Sequence, residues 1–204
     1  MTQIISALIE LGSIIAPMSI ESVLLTGGAS RRMGSDKASL LVEGETLAHR
    51  MVTQLVRTCD VVTVLGKEPI DGCAFLQDSE EYAGPLAALS KFSPRAQFVF
   101  VASCDLPRFD GNVVPYFASI IEGRDAVIPI SGDRPQPLCA LYSASAIAKI
   151  APLHQGGVRR LQAWIEQLSA VKVSTEDLIR NGVDPRTAAG ANTPEELDAV
   201  LKSS

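Results

Sequence analysis

The chain has 204 residues with 47% apolar and 20% charged positions, a size and composition that support one self-sufficient hydrophobic core and exclude a disordered or fibrous protein. Eighteen Lys and Arg stand against 23 Asp and Glu, a net charge of -5. That balance argues against nucleic acid as a partner, because a nucleic-acid surface needs a basic face.

Residues 1–17, MTQIISALIELGSIIAP, are apolar but hold no Lys or Arg, and Glu10 interrupts them short of a membrane span. They read as neither signal peptide nor anchor, so no membrane partner is expected. Met18 stands just before the first predicted strand. The expectation is therefore an N-terminal extension over 1–17, upstream of the natural start, followed by a single domain over 18–204.

Ser22–Thr26 is a short apolar run ended by glycines and predicts a strand. It leads into Thr26-Gly27-Gly28-Ala29-Ser30-Arg31-Arg32-Met33-Gly34-Ser35-Asp36-Lys37. Glycines there let backbone N–H groups approach a phosphate, and Arg31, Arg32 and Lys37 bring cations to the same place, so the loop reads as an anion site. It has neither the GK[ST] ending of a P-loop nor the GxGxxG of a dinucleotide fold. Spacing alone leaves open a solvated turn with incidental charges.

Helical periodicity follows over Glu45–Arg57, then strands at Val61–Leu65 and Ala74–Leu76 and a helix over Gly84–Phe92 with Pro85 in its first turn. Gln97–Ser103 is apolar and rich in β-formers, the pattern of a buried strand, and it ends at Cys104-Asp105-Leu106-Pro107. Next come a predicted helix at Gly111–Ile121, strands at Asp125–Ile130 and Leu138–Tyr142, and helices at Ala144–Ala151 and Val158–Leu168. Val171–Ser174 reads as extended. Pro194–Leu201 closes the chain as a helix capped by Thr193, with Glu195 and Glu196 in its first turn. Alternating strands and helices predict an α/β fold, a Rossmann-like three-layer α/β/α sandwich on a mostly parallel sheet, with its site at the carboxyl ends of the strands.

Cys59, Cys73, Cys104 and Cys139 form no CxxC pair and lie at ligand spacing from no histidine, so a zinc site is not expected. Cys104 and Cys139 sit in apolar runs, where cysteine acts as a small hydrophobe. A reducing cytoplasm is the default compartment for such a chain. His49 and His154 belong to no recognisable acid–base or nucleophile constellation.

The segment LLTGGASRRMGSDK resembles the GG-x-S/A-x-R-MG-x-DK signature of the molybdenum cofactor nucleotidyltransferases, members of the nucleoside-triphosphate transferases with a fold of nucleotide-diphospho-sugar transferase type. Gln77-Asp78-Ser79, Gly84-Pro85-Leu86, Cys104-Asp105-Leu106-Pro107, Gln136-Pro137-Leu138 and Asn192-Thr193-Pro194-Glu195-Glu196-Leu197 resemble further family segments, in the same order. The resemblance runs from about residue 22 to the end.

What it implies can be carried over by residue. Leu25, Thr26, Gly27, Gly28, Arg32, Gly34 and Lys37 would form the nucleotide loop, with Lys37 on phosphate. Asp78 would serve nucleotide or metal binding, and Gly84 and Pro85 would shape the base pocket. Asp105 would bind Mg²⁺, an ion that takes one or two carboxylates together with phosphate and water; a turn cap before Pro107 is the alternative role for this aspartate. Lys37 and Asp105 would be the catalytic pair. Arg134, Gln136, Pro137, Arg159, Arg160 and Asn192 would meet the acceptor. The nucleotide-binding half would span about 18–110 and the acceptor half about 111–204. Where relatives often carry a second asparagine two residues before Asn192, this chain has Gly190.

The implied reaction transfers GMP from GTP to the phosphate of molybdopterin or the molybdenum cofactor and needs no general base, because the acceptor is already anionic. Gly27-Gly28 and Gly84-Pro85-Leu86 resemble the guanylyl-transferring branch. Two alternatives remain open at this stage. One is a cytidylyl or other small-phosphate nucleotidyltransferase of the same fold; the other is a catalytically weak nucleotide-binding or cofactor-binding protein. The second would have molybdoenzyme apoproteins or cofactor-maturation proteins as handover partners.

Overall fold

A computed structural model describes residues 18–27, 41–42, 44–78 and 83–202. The N-terminal segment 1–17 and the loop positions Gly28, Arg31, Arg32, Gly34 and Lys37 lie outside the described residues.

The predicted apolar runs form β1 (Ile20–Leu25), β4 (Val61–Gly66), β5 (Ala74–Gln77), β6 (Phe98–Ser103), β7 (Ala126–Ser131), β9 (Cys139–Ser143) and β10 (Ala170–Val173). They lie side by side in the order β10-β7-β9-β6-β1-β4-β5, and the short β8 (Arg134–Pro135) pairs with β7. Strands β5, β4, β1 and β6 are parallel, and β10 is parallel to β7. Leu25 is level with Leu65 on β4 and Ser103 on β6, so three strands end flush at one carboxyl edge.

β9 runs antiparallel to both β6 and β7, which makes the mostly parallel sheet a mixed one. Only residues 132–138 separate β7 from β9. A parallel return needs a crossover of a dozen residues or more, so this connection can only turn the chain back.

Helices cover both faces. Side chains of β1, β6 and β9 such as Leu24, Phe100 and Leu141 pack with Met51 and Leu55 of α1 (Leu47–Leu55) and with Val113 and Phe117 of α3 (Val113–Ile120). Leu178 of α7 (Thr175–Arg180) joins that same core. On the other face Val23, Leu25, Val99, Val101 and Tyr142 meet α2 (Pro85–Leu89), α4 (Ala144–Ala148), α5 (Ile150–Gln155) and α6 (Leu161–Ile165). Alternate residues of one strand thus feed two cores, as the period of two requires. The sandwich is the three-layer α/β/α arrangement that the alternation predicts. α8 (Pro194–Lys202) closes the described chain, and Thr193 caps it through Oγ1, which accepts from the Glu196 N–H at 3.1 Å. No helix of the described residues is long and apolar enough to cross a membrane.

Several boundaries differ from the sequence expectation for local reasons. Glu45 and Thr46 form β3, paired with β2 (Leu41–Val42), before Thr46 caps α1 by accepting from the His49 N–H at 3.2 Å. The helix expected over Val158–Leu168 starts only at Leu161, because Gly157 is left-handed and Arg160 is still extended; the Arg159 guanidinium donates to the His154 and Val158 carbonyls. The expected Ala144–Ala151 helix is two pieces, α4 and α5. α7 was not expected, although its start is a reciprocal capping box: Ser174 Oγ accepts from the Asp177 N–H at 3.1 Å, and the Asp177 carboxylate accepts from the Ser174 N–H at 3.3 Å.

Candidate active site

The carboxyl edge is where the glycine loop leaves β1. The Thr26 N–H donates to Leu65 O at 3.1 Å and the Cys104 N–H donates to Leu25 O at 3.1 Å, so the first loop residues sit between the ends of β4 and β6. A side chain on Gly66 would meet Thr26 Oγ1 at 1.9 Å, which shows how closely the end of β4 approaches the loop.

Asp78 follows β5 onto the same edge. Its N–H donates to Gly66 O at 2.8 Å, and its Oδ2 lies 3.6 Å from where a Cβ on Gly27 would be. Lys91, just past α2, donates to Asp78 Oδ1 at 3.1 Å. Both side chains of that pair are mostly buried, at 25% and 18% exposure, so the contact is screened less than a surface ion pair. Lys91 fixes the carboxylate against the loop. The sequence reading missed Lys91, since nothing local ties a lysine in a helix-end turn to an aspartate 13 residues earlier. Gly84 has φ +86 and turns the chain into α2, with Pro85 at the first helical position. That left-handed geometry explains why glycine stands there.

Asp105 lies two residues past the end of β6 and is half-buried. Its Oδ1 accepts from Ser103 Oγ at 2.5 Å. Among the described residues no group of three His, Cys, Asp or Glu comes together as a metal cage. The donor chemistry at Asp105, a single carboxylate at the carboxyl edge of the sheet, is the kind a Mg²⁺ uses when phosphate and water complete its coordination, and differs from the multi-ligand cages of zinc or calcium.

The C-terminal segment comes to the same aspartate. The Ala191 N–H donates to Asp105 O at 2.9 Å, and a Cβ on Gly190 would lie 3.8 Å from that carbonyl oxygen. Asn192 follows, exposed, with its N–H donating to Glu196 at 2.6 Å. Gly190 has neither a left-handed φ nor a tight neighbour, so its glycine is not a backbone requirement.

The other residues expected to meet the acceptor lie on separate elements of the second half of the chain. Arg134 is exposed on β8, and Gln136 donates through Nε2 to Arg134 O at 3.2 Å and through its N–H to Pro129 O at 2.9 Å. Pro137 is pinned from below: the fully buried Tyr142 donates its hydroxyl to Pro137 O at 2.8 Å. The Ser103 N–H donates to Leu138 O at 2.9 Å and ties this turn to the end of β6. Arg160 is exposed at the start of α6, whereas the guanidinium of Arg159 is engaged by carbonyls of its own segment, 2.7 Å from His154 O.

Burial pushes the Cys59 thiol up to about 11, and Cys139 is raised further by complete burial, so both are neutral thiols at ordinary pH.

Behind Asp105 lies a cluster that sequence reading did not find. Arg108 donates to Asp184 at 3.0 Å, and Arg186 donates to Asp184 at 3.0 Å from its side chain and 2.8 Å from its N–H. Burial raises the Asp184 carboxyl, but the hydrogen bonds from Arg186 and Arg108 outweigh it and hold it below the usual carboxylate range. A carboxyl with a depressed folded pKa stabilises the fold above its unfolded pKa of about 3.9, and that contribution is lost as pH falls through the folded value. Asp184→Asn should therefore cost about 1–2 kcal/mol near neutrality, discounted for partial exposure, and the melting curves of variant and wild type should converge in acid. A constant gap from pH 7 down to pH 2 would contradict this.

A mixed α/β sheet that brings the end of β1, Asp78, Asp105 and the returning C-terminal segment to one carboxyl edge has the architecture of the nucleoside-triphosphate transferases, the class to which the chain belongs. The chain belongs to the family of the MobA-like NTP transferase domain, which it matches over residues 22–171. It is 31% identical to the probable molybdenum cofactor guanylyltransferase of Methanosarcina acetivorans, over 91% of each chain. It is 28% identical to the molybdenum cofactor guanylyltransferase of Desulfosudis oleivorans, over 88% of this chain and 93% of that one. The crystal structure of molybdopterin-guanine dinucleotide biosynthesis protein A from Archaeoglobus fulgidus has the same fold, with a TM-score of 0.73 at 23% identity over 88% of this chain and 96% of that chain.

Proposed function

We propose that the chain transfers GMP from GTP to the phosphate of molybdopterin. A phosphate oxygen of the acceptor attacks the α-phosphorus of GTP, the new O–P bond forms, and the bond to the β-phosphate oxygen breaks as pyrophosphate leaves with its electron pair. The observation that carries the reading is the place of Asp105, next to Cys104, whose N–H donates to Leu25 O at the end of β1, and under the Gly190–Asn192 segment, whose Ala191 N–H donates to the Asp105 carbonyl. A nucleotide half over 18–110 and an acceptor half over 111–204 would meet at that aspartate.

In this reading Leu25, Thr26, Gly27, Gly28, Arg32, Gly34 and Lys37 hold the triphosphate, Asp78 steadied by Lys91 holds the nucleoside side, and Gly84 and Pro85 border the base. Asp105 would hold a Mg²⁺, which supplies charge neutralisation at the α-phosphate and pyrophosphate. Arg134, Gln136, Pro137, Arg160 and Asn192 receive the pterin, and Arg159 joins them only by releasing the end of α5. Two anions are brought together, so the protein's work is positioning and electrostatic preorganisation rather than proton transfer. Residues 1–17 act as a dispensable extension, and the reaction takes place in the cytoplasm.

The test compares GTP, CTP and ATP with molybdopterin as acceptor and Mg²⁺ present, reading pyrophosphate release and the dinucleotide product. Preferential use of GTP is expected. Preferential transfer from CTP would move the chain to the cytidylyl branch, and tight GTP binding without pyrophosphate release would make it a carrier of nucleotide or cofactor.

A further inference from the structure

The segment after α7 crosses back over the chain that follows β6, and the two are stitched together residue by residue. Thr187, fully buried, accepts from the Asp110 N–H through Oγ1 at 2.9 Å. The Asp110 carboxylate accepts from the Asp184 N–H at 3.1 Å and from the Asn112 N–H at 3.0 Å. Arg108 reaches Asp184, and Cys139 at the start of β9 lies 3.7 Å from Thr187 O through its sulfur. The Thr187 N–H donates to Asp184 O and the Ala189 N–H to Arg186 O, both at 2.9 Å, so the turn is rigid from its anchor to the residues that touch Asp105.

From this we infer that Asp110 and Thr187 form a clasp that positions Gly190–Asn192 over Asp105, and that Thr187 is a positioning residue for the acceptor. The inference rests on the guanylyltransferase reading. Its logic lies in how differently the two halves are anchored. Asp105 is held from the sheet, by the Cys104 N–H on Leu25 O and by Ser103 Oγ on its own carboxylate. The Gly190–Asn192 segment instead follows from the clasp, at the end of a turn in which Val183, Thr187, Ala188 and Ala191 are buried. Loosening the clasp should therefore release the acceptor side and leave the nucleotide side in place. Asp110 and Thr187 also lie on opposite sides of the proposed division into halves, so the buried hydroxyl joins them beside the β6–β9 pairing and the Asp110–Asp184 contact.

The experiment uses the full chain with Thr187→Val, Thr187→Ser and Arg108→Met, the last cutting the clasp from its more exposed side should the buried valine prevent folding. Binding of GTP and of molybdopterin is measured separately without turnover, together with deuterium exchange of the Ala189 and Ala191 amides. Thr187→Val and Arg108→Met should weaken molybdopterin binding roughly 10-fold, since small misplacements of positioning groups are costly. They should also speed exchange at both amides and leave GTP binding unchanged, while Thr187→Ser retains wild-type behaviour. Unchanged exchange, or parallel loss of GTP and molybdopterin binding, would overturn the clasp. A wild type that binds molybdopterin but transfers no GMP overturns the guanylyltransferase reading and leaves the clasp to be judged by binding and exchange; one that does not bind molybdopterin overturns both.

Discussion

Asp105→Asn should lower turnover by ~10²-fold or more while leaving the melting temperature close to that of the wild type. The amide keeps the shape of the side chain and still offers an oxygen to Ser103 Oγ, now 2.5 Å from the carboxylate. The contact with Ala191 is made by the backbone carbonyl and survives the change. What is removed is one negative charge at the point where a cation would meet the phosphates, and electrostatic groups aimed at developing charge are worth most where water is excluded. The loss should appear in kcat, measured at saturating GTP, molybdopterin and Mg²⁺. A near-normal rate under those conditions would return Asp105 to the role of a turn cap before Pro107.

The parts of the fold legible in the sequence are those written in local periodicity. The runs at β1, β4, β6 and β7 are apolar because each feeds two cores, and such runs advertise buried strands. The position of Asp105 at a carboxyl end followed directly from the run before it. Strand direction was less accessible: β9 has the composition of the strands that run parallel to one another in the sheet, and only the short connection 132–138 betrays its reversal. The start of α7 is written as Ser174-x-x-Asp177, but the extended pattern of the segment before it masks the signal. The clasp was not legible at all. Asp110 and Thr187 are 77 residues apart and each looks like an ordinary polar loop residue, so their pairing exists only once the sheet has brought the end of β6 beside the returning chain. Lys91 and Asp78 present the same difficulty at shorter range.

Gly190 shows how residue identity and geometry answer different questions. Its departure from the resemblance suggests a missing contact on the acceptor side, yet the space beside it is open enough for a side chain and its backbone asks for no glycine. The fold therefore does not explain the substitution, and the clasp carries the segment into place without help from that residue.

Gly66→Ala should destabilise the domain by about 1–3 kcal/mol, the scale of overpacking in a filled site, and weaken GTP binding at the same time. The backbone is not the obstacle, because Gly66 does not occupy the left-handed region. The obstacle is steric: an added Cβ meets Thr26 Oγ1 at 1.9 Å, Thr26 Cβ at 3.2 Å and the Gly27 nitrogen at 3.4 Å. Rotating the threonine hydroxyl away relieves only the first contact. The start of the glycine loop must then move, although the Thr26 N–H is fixed on Leu65 O. Strain at the end of β4 is thus passed to the residues proposed to cradle the triphosphate. A double-mutant cycle isolates this path: Thr26→Gly removes both side-chain contacts, so the pair Gly66→Ala with Thr26→Gly should lose less stability than the two single changes added together. Urea midpoints for the four proteins measure the coupling, and strict additivity would mean that Gly66 and Thr26 do not press on one another.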